Sequence, residues 1–371
     1  MKKIQTTQVK DKNVLVRIDA DVLADDGTIK DDSRIQASIP TLKHLLENGA
    51  KVTIMGHIGR PKGKEIPELK IRPVEDKLIE LLGTHNNWQI LENLRFDLGE
   101  EKNDPEFAKQ LVTGQDIFIQ DAFATAHRAH ASTVGVAKLL PSYAGMSVQR
   151  EVTGLKQILA SPKDSFLIII GGKKIEDKLP IIENLYDKAQ TFLIGGAVAD
   201  TFLTGMDIDL GKSTVDLNFL EKTRAIIKKF DSTPSKKLLL PSDLLFSRSA
   251  EKPVDIKELA VTNIKAIDDM MGVDIGAETV ANYKFEIKNA KTILWNGNMG
   301  VSEVSEFSKG TWAIAEAIGN SNAKKYAGGG DTSAFIRRVG LADNFDFISN
   351  AGGATLEYLA GKTLPGLAVL N

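Results

Sequence analysis

Short apolar runs rich in β-branched residues alternate with segments whose apolar positions recur at helical spacing along almost the whole chain. Such alternation is typical of βαβ units, in which helices cover both faces of a mostly parallel sheet. The predicted strands cover residues 13–18, 51–55, 89–91, 116–120, 166–170, 191–194, 237–240, 291–295, 324–327 and 346–349. The pattern therefore predicts the α/β class.

Two helices of this pattern have recognisable ends. Residues 39–48 predict a helix with Pro40 in its first turn and Gly49 at the C′ position, where a left-handed residue often follows a helix. Residues 147–159 also carry apolar positions at helical spacing, and Ser161 and Pro162 follow them. We interpret this second segment as an interdomain helix.

Composition favours two globular domains rather than one. The chain has 371 residues, of which 42% are hydrophobic, enough apolar material for two cores. We expect two Rossmann-like, three-layer α/β domains with mostly parallel sheets, at 1–148 and 162–356, joined by the helix at 149–161. No apolar heptad seam is visible, so a monomer is expected.

Charge and cysteine content exclude several classes of function. The formal net charge of −2 gives no basic field for nucleic acid, and without cysteine the chain has no disulfide, cysteine-bound metal or thiol nucleophile. The first residues lack the apolar core of a signal peptide, and no window holds eighteen consecutive apolar residues. These features predict a cytoplasmic protein that does not bind a membrane.

Basic side chains follow the predicted strands of the first half. Ligands of open α/β sheets bind beyond the carboxyl ends of the strands. The residues at these ends, with Arg34 in a following loop, include Asp19, Asp21, His57, Arg60, Arg95, His127, Arg128 and His130. A guanidinium binds phosphate or carboxylate oxygens in pairs, so four arginines at one edge predict a small dianionic ligand. His127 and His130 suit structural hydrogen bonds equally well.

Glycines follow the predicted strands of the second half. The glycine-rich ends are at 171–172, 195–196, 297–300, 328–330 and 352–353. Glycine lets backbone N–H groups approach phosphate oxygens, which predicts a polyphosphate cradle. Asp331 could serve either as a Mg²⁺ ligand or as an ordinary helix N-cap. Residues 205–213 miss the P-loop spacing by one residue, and the protein-kinase H-R-D and D-F-G elements are missing.

Seven motifs in order resemble the phosphoglycerate kinase family, and the resemblance extends over essentially the whole chain. They are DDSRI (31–35), GHIGRPKG (56–63), LENLRF (91–96), EEKNDPEFAK (100–109), DAFATAHRAHASTVGVAK (121–138), ILWNGNMGVSE (293–303) and GGGDTSA (328–334). The resemblance implies reversible phosphoryl transfer between 1,3-bisphosphoglycerate and ADP, giving 3-phosphoglycerate and ATP in glycolysis. Mg²⁺ is the implied cofactor, and ATP or ADP the implied nucleotide substrate.

The resemblance also implies the site residues. The 3-phosphoglycerate pocket falls on Asp19, Ala20, Asp21, Arg34, His57, Ile58, Gly59, Arg60, Arg95, His127 and Arg128. The nucleotide site falls on Gly172, Lys174, Lys178, Gly196, Gly272, Asn296, Glu303 (ribose hydroxyls), Gly329, Gly330, Asp331 and Thr332. The implied catalytic residues are Arg34, Lys174 and Lys178, and the implied metal ligand is Asp331.

The family is expected to close about a hinge over a ligand cleft between its two domains, and its C-terminal segment, here 357–371, packs back on the first domain. Several positions depart from the family pattern: Asp21, Ala124, Lys173, Ala277, Glu278, Asn298, Ser302, Asn350 and Ala351. Asp21 adds a carboxylate to an anion pocket, which weakens binding unless an arginine pairs with it. These departures leave open a weakened, nucleotide-binding regulatory homologue and a kinase for another small acid.

Overall fold

The computed structural model describes residues 1–24, 26–29, 31–84, 87–264, 267 and 269–371. The chain divides into two compact units. The first unit comprises Met1–Gly154 with Lys362–Asn371, and the second comprises Leu155–Gly361. The division falls inside a helix at Met146–Leu159.

The first unit is built on a parallel sheet. Its strands are β1 (Asn13–Arg17), β2 (Lys51–Met55), β3 (Trp88–Ile90), β4 (Ile117–Gln120) and β5 (Ser142–Ala144), in the order β3-β2-β1-β4-β5. Its helices are α1 (Ser33–Glu47), α2 (Arg72–Leu82), α3 (Leu98–Lys102), α4 (Pro105–Val112) and α5 (Met146–Leu159). Val14, Leu15 and Val16 of β1 are fully buried, as expected for a central strand covered on both faces.

Helix α1 begins earlier than the sequence predicts. Residues 39–48 were expected with Pro40 in the first turn, but the helix covers Ser33–Glu47 and contains Pro40 in its interior. The apolar face of Ile35, Ile39 and Leu42 is buried on both sides of the proline, so packing outweighs the roughly 3 kcal/mol cost of an internal proline. Gly49 lies at C′ as predicted, with φ +78°.

The second unit contains a larger parallel sheet. Its strands are β6 (Phe166–Ile170), β7 (Thr191–Ile194), β8 (Lys237–Leu239), β12 (Thr292–Asn296), β13 (Lys324–Ala327) and β14 (Phe347–Ile348), in the order β14-β13-β12-β6-β7-β8. An antiparallel sheet has the order β10-β9-β11, from β9 (Asp243–Ser247), β10 (Lys257–Ala260) and β11 (Met271–Ile275). The α/β class with mostly parallel sheets is thus confirmed.

Helices cover the sheets of the second unit. They are α6 (Leu179–Leu185), α7 (Gly196–Gly205), α8 (Leu220–Asp231), α9 (Ala277–Asn289), α10 (Lys309–Gly319), α11 (Gly330–Arg338) and α12 (Gly353–Leu359). The core between them includes Phe246, Tyr283 and Trp295, each at most 1% exposed. These side chains fix the sheet edge at which the strand-end loops begin.

The last residues belong to the first unit. Helix α13 (Pro365–Ala368) follows residue 361, and the Gly366 N–H donates to Ala126 O at 2.8 Å. The Lys2 N–H donates to Leu370 O at 2.9 Å, so both chain ends meet there. In the ranges that the structure describes, no helix combines the length and apolarity needed to span a bilayer.

Candidate active site

The loops after β2 and β3 in the first unit are joined by Asn93. Its Oδ1 accepts the Ile58 N–H at 3.1 Å, and its Nδ2 donates to Ile58 O at 2.8 Å and to Leu69 O at 2.9 Å. Asn93 is only 2% exposed. A buried amide satisfied at both ends holds its partners in one geometry. Asn93 therefore fixes the loop that carries His57, Gly59 and Arg60.

Arg34 and Arg95 donate hydrogen bonds to backbone carbonyl groups of neighbouring loops. Arg95 Nη1 donates to Gly59 O at 2.6 Å, and Arg34 Nη1 donates to Asp21 O at 2.8 Å. The Nε atom of Arg95 lies 3.3 Å from Glu101 Oε1. These contacts place two of the predicted arginines at the loops that follow β1 and β2.

A network of buried hydrogen bonds holds the His57 ring in one orientation. Arg17, fully buried at the end of β1, donates from Nη2 to His57 Nδ1 at 2.8 Å. Arginine can only donate, so Nδ1 is the acceptor and the ring proton lies on Nε2. Burial, with the charge of Arg17 adding to it, lowers the pKa of His57 well below its usual value. His57 is thus neutral, with its N–H on the side of Asp21.

Glu100 completes this network. Its Oε1 accepts the Ser132 hydroxyl at 2.6 Å and its Oε2 accepts the Ser132 N–H at 3.0 Å, while Arg17 Nε donates to Ser132 Oγ at 2.9 Å. Burial lowers the pKa of the Arg17 guanidinium, and the charge of Glu100 opposes that change. His130 Nδ1 lies 3.7 Å from Glu100 Oε1, and burial lowers the pKa of His130 to about 4.

Asp21 is held by the loop rather than by an arginine. Its Oδ1 accepts the Gly59 N–H at 2.9 Å, and its Oδ2 lies 3.7 Å from His57 Nε2. The side chain is 42% exposed. Arg34 bonds the backbone carbonyl of Asp21, so the described contacts show no direct arginine pair for the carboxylate. The additional negative charge therefore stays within the predicted anion pocket.

The remaining predicted residues of the first unit differ in exposure. Asp19 is buried, accepts the Ala124 N–H at 2.8 Å, and has a pKa raised by burial against the opposing charge of Arg34. Arg60 and Arg128 are exposed. The Arg128 Nε–H donates to His127 Nε2 at 3.1 Å. Ala20 and Ile58 are buried beside these loops, so the structure places the set at the carboxyl edge of one sheet.

The glycine loops of the second unit contact one another closely. The Gly172 N–H donates to Asn298 O at 2.8 Å, the Gly196 N–H to Met299 O at 2.9 Å, and the Gly272 N–H to Ser213 Oγ at 2.8 Å. A Cβ at Gly196 would lie 2.7 Å from Gly172 N. The Gly172 and Gly196 N–H groups, which were expected to face phosphate, therefore have protein acceptors instead. Gly172 and Gly196 pack backbone against backbone, whereas a Cβ at Gly272 would meet the side chains of Asp200 and Ser213.

Lys178 is a buried cation in the second unit. It is 8% exposed, and its Nζ donates to Asn296 Oδ1. Asn296 Nδ2 in turn donates to Gly328 O at 2.8 Å, so both ends of this amide have protein partners. Burial lowers the pKa of Lys178 to about 8, against the opposing charges of Asp177 and Asp331. Lys174, by contrast, is exposed.

Helix α11 begins where β13 ends. Gly329 precedes it with φ +98°, and the Thr332 hydroxyl accepts the Gly297 N–H at 2.7 Å. The first N–H groups of a helix have no intrahelical acceptor and carry its positive dipole end. Asp331 is exposed in the first turn. This helix start, rather than the loops at Gly172 and Gly196, can offer backbone donors to an anion.

A cavity of about 340 Å³ lies at the same edge of the second unit. Its wall combines apolar side chains with eight polar or charged ones, four of which carry carboxyl groups (Asp200, Asp274, Glu303 and Asp331). The predicted residues that line it are Gly172, Gly196, Gly272, Glu303 and Asp331. Among the described residues, the cavity wall does not include the other predicted nucleotide residues, which are Lys174, Lys178, Asn296, Gly329, Gly330 and Thr332.

Two departures from the family pattern are partners in the structure. Asn298 Nδ2 donates to Ser302 Oγ at 2.7 Å, and both residues line the cavity. Elsewhere, Arg337 Nη2 donates to Asn350 Oδ1, and Ala351 is 1% exposed. Lys173 is exposed on the cavity wall. Asn298 and Ser302 thus form one altered contact rather than two independent changes.

Sequence reasoning missed Arg17, Asn93, Glu100 and Asp200. Arg17 gave one signal, because it is a charged residue in an otherwise apolar run, VLVRI. Burial of a charge at such a position is rare unless the charge has partners. Asp200 gave the same signal, because it is the only charged residue in the mainly apolar stretch GAVADTFLTG. Asn93 and Glu100 lie in stretches of mixed polarity, where no spacing distinguishes them from surface residues.

No group of three or more His, Cys, Asp or Glu side chains arranged to hold a metal was found among the described residues. Asp331 is a single exposed carboxylate beside a helix start. Magnesium in phosphoryl-transfer sites typically takes one or two carboxylates together with phosphate oxygens and water. The donor set therefore fits a Mg²⁺ ion that arrives with a nucleotide.

Comparisons with known proteins agree along nearly the full length. A family profile described as phosphoglycerate kinase matches residues 4–362. The phosphoglycerate kinase of Dictyoglomus turgidum is 43% identical, covering 99% of this chain and 98% of that protein. That of Finegoldia magna is 39% identical, covering 100% and 99%. The solved structure of phosphoglycerate kinase from Coxiella burnetii has a TM-score of 0.87 at 34% identity, covering 99% and 98%.

Proposed function

The chain belongs to the phosphoglycerate kinase family, and we propose that its first unit binds the acid substrate while its second unit binds the nucleotide. The chain is a phosphotransferase that transfers a phosphoryl group reversibly between 1,3-bisphosphoglycerate and ADP, giving 3-phosphoglycerate and ATP in glycolysis. The observation that carries the division of roles is the contrast between a sheet edge with several arginines in one unit and a cavity with both apolar and acidic side chains in the other.

The first unit would hold 3-phosphoglycerate through charge-assisted hydrogen bonds. Arg60 and Arg128 are exposed and available to a phosphate, while Arg34 and Arg95 are held at the adjacent loops. Charge-assisted bonds to phosphate or carboxylate are about twice as strong as neutral ones. Neutral His57 would donate its Nε2 proton to a substrate oxygen. The remaining pocket residues would shape the binding site around the substrate; they are Asp19, Ala20, Asp21, Ile58, Gly59 and His127.

The second unit would hold ATP or ADP with its base in the cavity and its phosphates near α11. The apolar wall suits a purine ring, and exposed Glu303 suits the ribose hydroxyls. The N-terminus of α11, at Gly329–Thr332, would receive the phosphates. Asp331 would hold Mg²⁺, which neutralises phosphate charge when it is bound.

The protein contributes positioning and charge rather than covalent chemistry. Phosphoryl transfer needs in-line placement of the two substrates and stabilisation of charge on the oxygens of the moving group. Arg34 and Lys174 would flank that group, and Lys178 would add a cation fixed by Asn296. Because the phosphoryl group passes directly between substrates, hinge closure that brings them together is part of the proposal.

We also propose a monomer in the cytoplasm whose partners are these small substrates. A domain division near 148–162, with residues 357–371 returning to the first domain, belongs to the same proposal. None of the comparisons favours a purely regulatory role.

A coupled assay with purified protein, ATP, Mg²⁺ and 3-phosphoglycerate tests the activity. Turnover of roughly 1–100 s⁻¹ is expected, the usual range for kinases. A protein that binds ADP but shows no turnover would contradict the catalytic assignment. Turnover only with a different small acid would contradict the substrate assignment, and Asp21 would then be the first position to examine.

A further inference from the structure

Two buried carboxyl groups, Asp200 and Asp274, line the nucleotide cavity, and Asp274 accepts backbone N–H groups from Ile275 and Gly310. Asp200 lies in α7, lines the cavity and is only 4% exposed. Its two carboxyl oxygens lie beside Gly272, where a Cβ would be 3.3 Å from Oδ1 and 3.7 Å from Oδ2. Over the described ranges of the chain, no hydrogen bond or ion pair reaches this carboxyl group.

Such an arrangement is costly in a protein without ligand. A largely buried polar group without a protein partner is unfavourable, and a partner supplied by a ligand removes that cost. Burial also raises the pKa of Asp200 well above its usual range, and no described charge contributes to the change. The neutral acid is favoured, and it offers one O–H donor and one C=O acceptor.

The position of Asp200 relative to Glu303 suggests what the partner is. Glu303 is exposed and Asp200 is buried, and both line the same cavity. A nucleoside whose ribose lies at the exposed end places the edge of its base at the buried end. The same cavity wall includes Leu244, Met271 and Val273, which suit the faces of a purine ring.

We propose that Asp200 pairs with the 1,6 edge of the purine base and makes the cavity prefer purines with a polar group at position 6. Adenine presents an N6–H donor beside the N1 acceptor at this edge. A carboxylic acid matches that pair with its C=O and O–H groups. A purine with only hydrogen at position 6 makes one of these two bonds. The inference rests on the proposed nucleotide site.

Calorimetric titration with two probes tests the pairing. The probes are ADP and the diphosphate of purine riboside, which lacks the 6-amino group. We expect ADP to bind the full-length protein roughly tenfold more tightly, the value of one buried hydrogen bond. Asp200→Asn keeps a donor and an acceptor and should preserve this ratio, whereas Asp200→Ala should reduce it to about twofold or less. Asp187→Ala removes an exposed carboxylate outside the cavity wall and should leave it unchanged.

The outcomes separate this inference from the proposed function. If the wild-type protein binds both probes equally, or if Asp200→Ala keeps the tenfold ratio, Asp200 does not select the base. Loss of the ratio in Asp200→Asn would also overturn the pairing, because that variant retains both hydrogen-bonding groups. If neither probe binds the wild-type protein, the nucleotide site itself is wrong.

Discussion

The two units fix their strand-end loops by different means. In the first unit, buried polar groups connect the loops: Asn93 joins two of them, and Glu100, Ser132 and Arg17 lead to His57. In the second unit, the loops pack glycine against glycine and form backbone hydrogen bonds. The positions of the charged loops in the first unit therefore depend on a few buried hydrogen-bonding side chains. The conformation of the loops in the second unit depends on glycines, because side chains would not fit where the loops meet.

The largest expected effect is the loss of Glu100 in the first unit. Glu100→Ala removes two buried hydrogen bonds from Ser132 and a negative charge that favours the buried Arg17 guanidinium, which together should cost about 3–5 kcal/mol. Urea denaturation should show this loss in the free energy of unfolding. Glu101→Ala, at a side chain 44% exposed that pairs with Arg95, is the matched control and should cost less than about 1 kcal/mol. Equal losses in both variants would contradict the role of the buried network.

Arg34→Ala should lower turnover by roughly 10² to 10³, by analogy with the loss of one oxyanion donor, because Arg34 would flank the moving phosphoryl group. The coupled assay measures this effect. Arg72→Ala removes an arginine of the same unit that is 69% exposed and pairs with surface carboxylates, so its turnover should match that of wild type. Normal turnover in Arg34→Ala would remove Arg34 from the reaction.

Gly297 tests the glycine packing of the second unit. Its φ of +104° is strained for any other residue, and a Cβ there would overlap the carbonyl of Gly171. Gly297→Ala should therefore reduce the free energy of unfolding by on the order of 3 kcal/mol. Gly330→Ala is the control, because nothing lies within 4 Å of a Cβ at that position. If Gly297→Ala is as stable as Gly330→Ala, close loop packing is not what the glycines provide.

The smallest effect is expected at Asp21. Asp21→Asn keeps an oxygen to accept the Gly59 N–H but removes a negative charge beside the proposed anion. The KM for 3-phosphoglycerate should fall by roughly twofold to fivefold, which corresponds to less than about 1 kcal/mol. Steady-state kinetics give this value, with Asp76→Asn on the exposed face of α2 as the charge control. An unchanged or higher KM argues that the carboxylate does not oppose binding.

Most strands of the parallel sheets were predictable because buried strands are continuous apolar runs. The predictions at 51–55, 166–170, 191–194 and 324–327 coincide with β2, β6, β7 and β13. The antiparallel strands β9, β10 and β11 were missed. Strand β10 is partly exposed, and β9 and β11 each contain an aspartate that interrupts a short apolar run. Helix α1 was misplaced because tertiary packing outweighed the local signal of Pro40.

The chemistry of the site was only partly predictable. Strand ends identify exposed arginines, since their loops follow directly from the strand pattern. The supporting contacts join residues far apart in sequence, such as Arg17 with Ser132 and Asp200 with Gly272. Likewise, the sequence does not reveal whether a glycine N–H faces a ligand or a protein carbonyl. Gly172 and Gly196 were assigned to phosphate for that reason, and the structure gives them protein acceptors.

The central claim is that each substrate has its own unit, and hydrogen exchange with each ligand added alone tests it most directly. 3-Phosphoglycerate should slow exchange at backbone amides of the loops near residues 19–21, 57–60 and 93–95. ADP with Mg²⁺ should slow exchange near residues 271–273, 298–303 and 329–332. Protection of the first set by ADP, or of the second set by 3-phosphoglycerate, would contradict the assignment of the acid to the first unit and the nucleotide to the second.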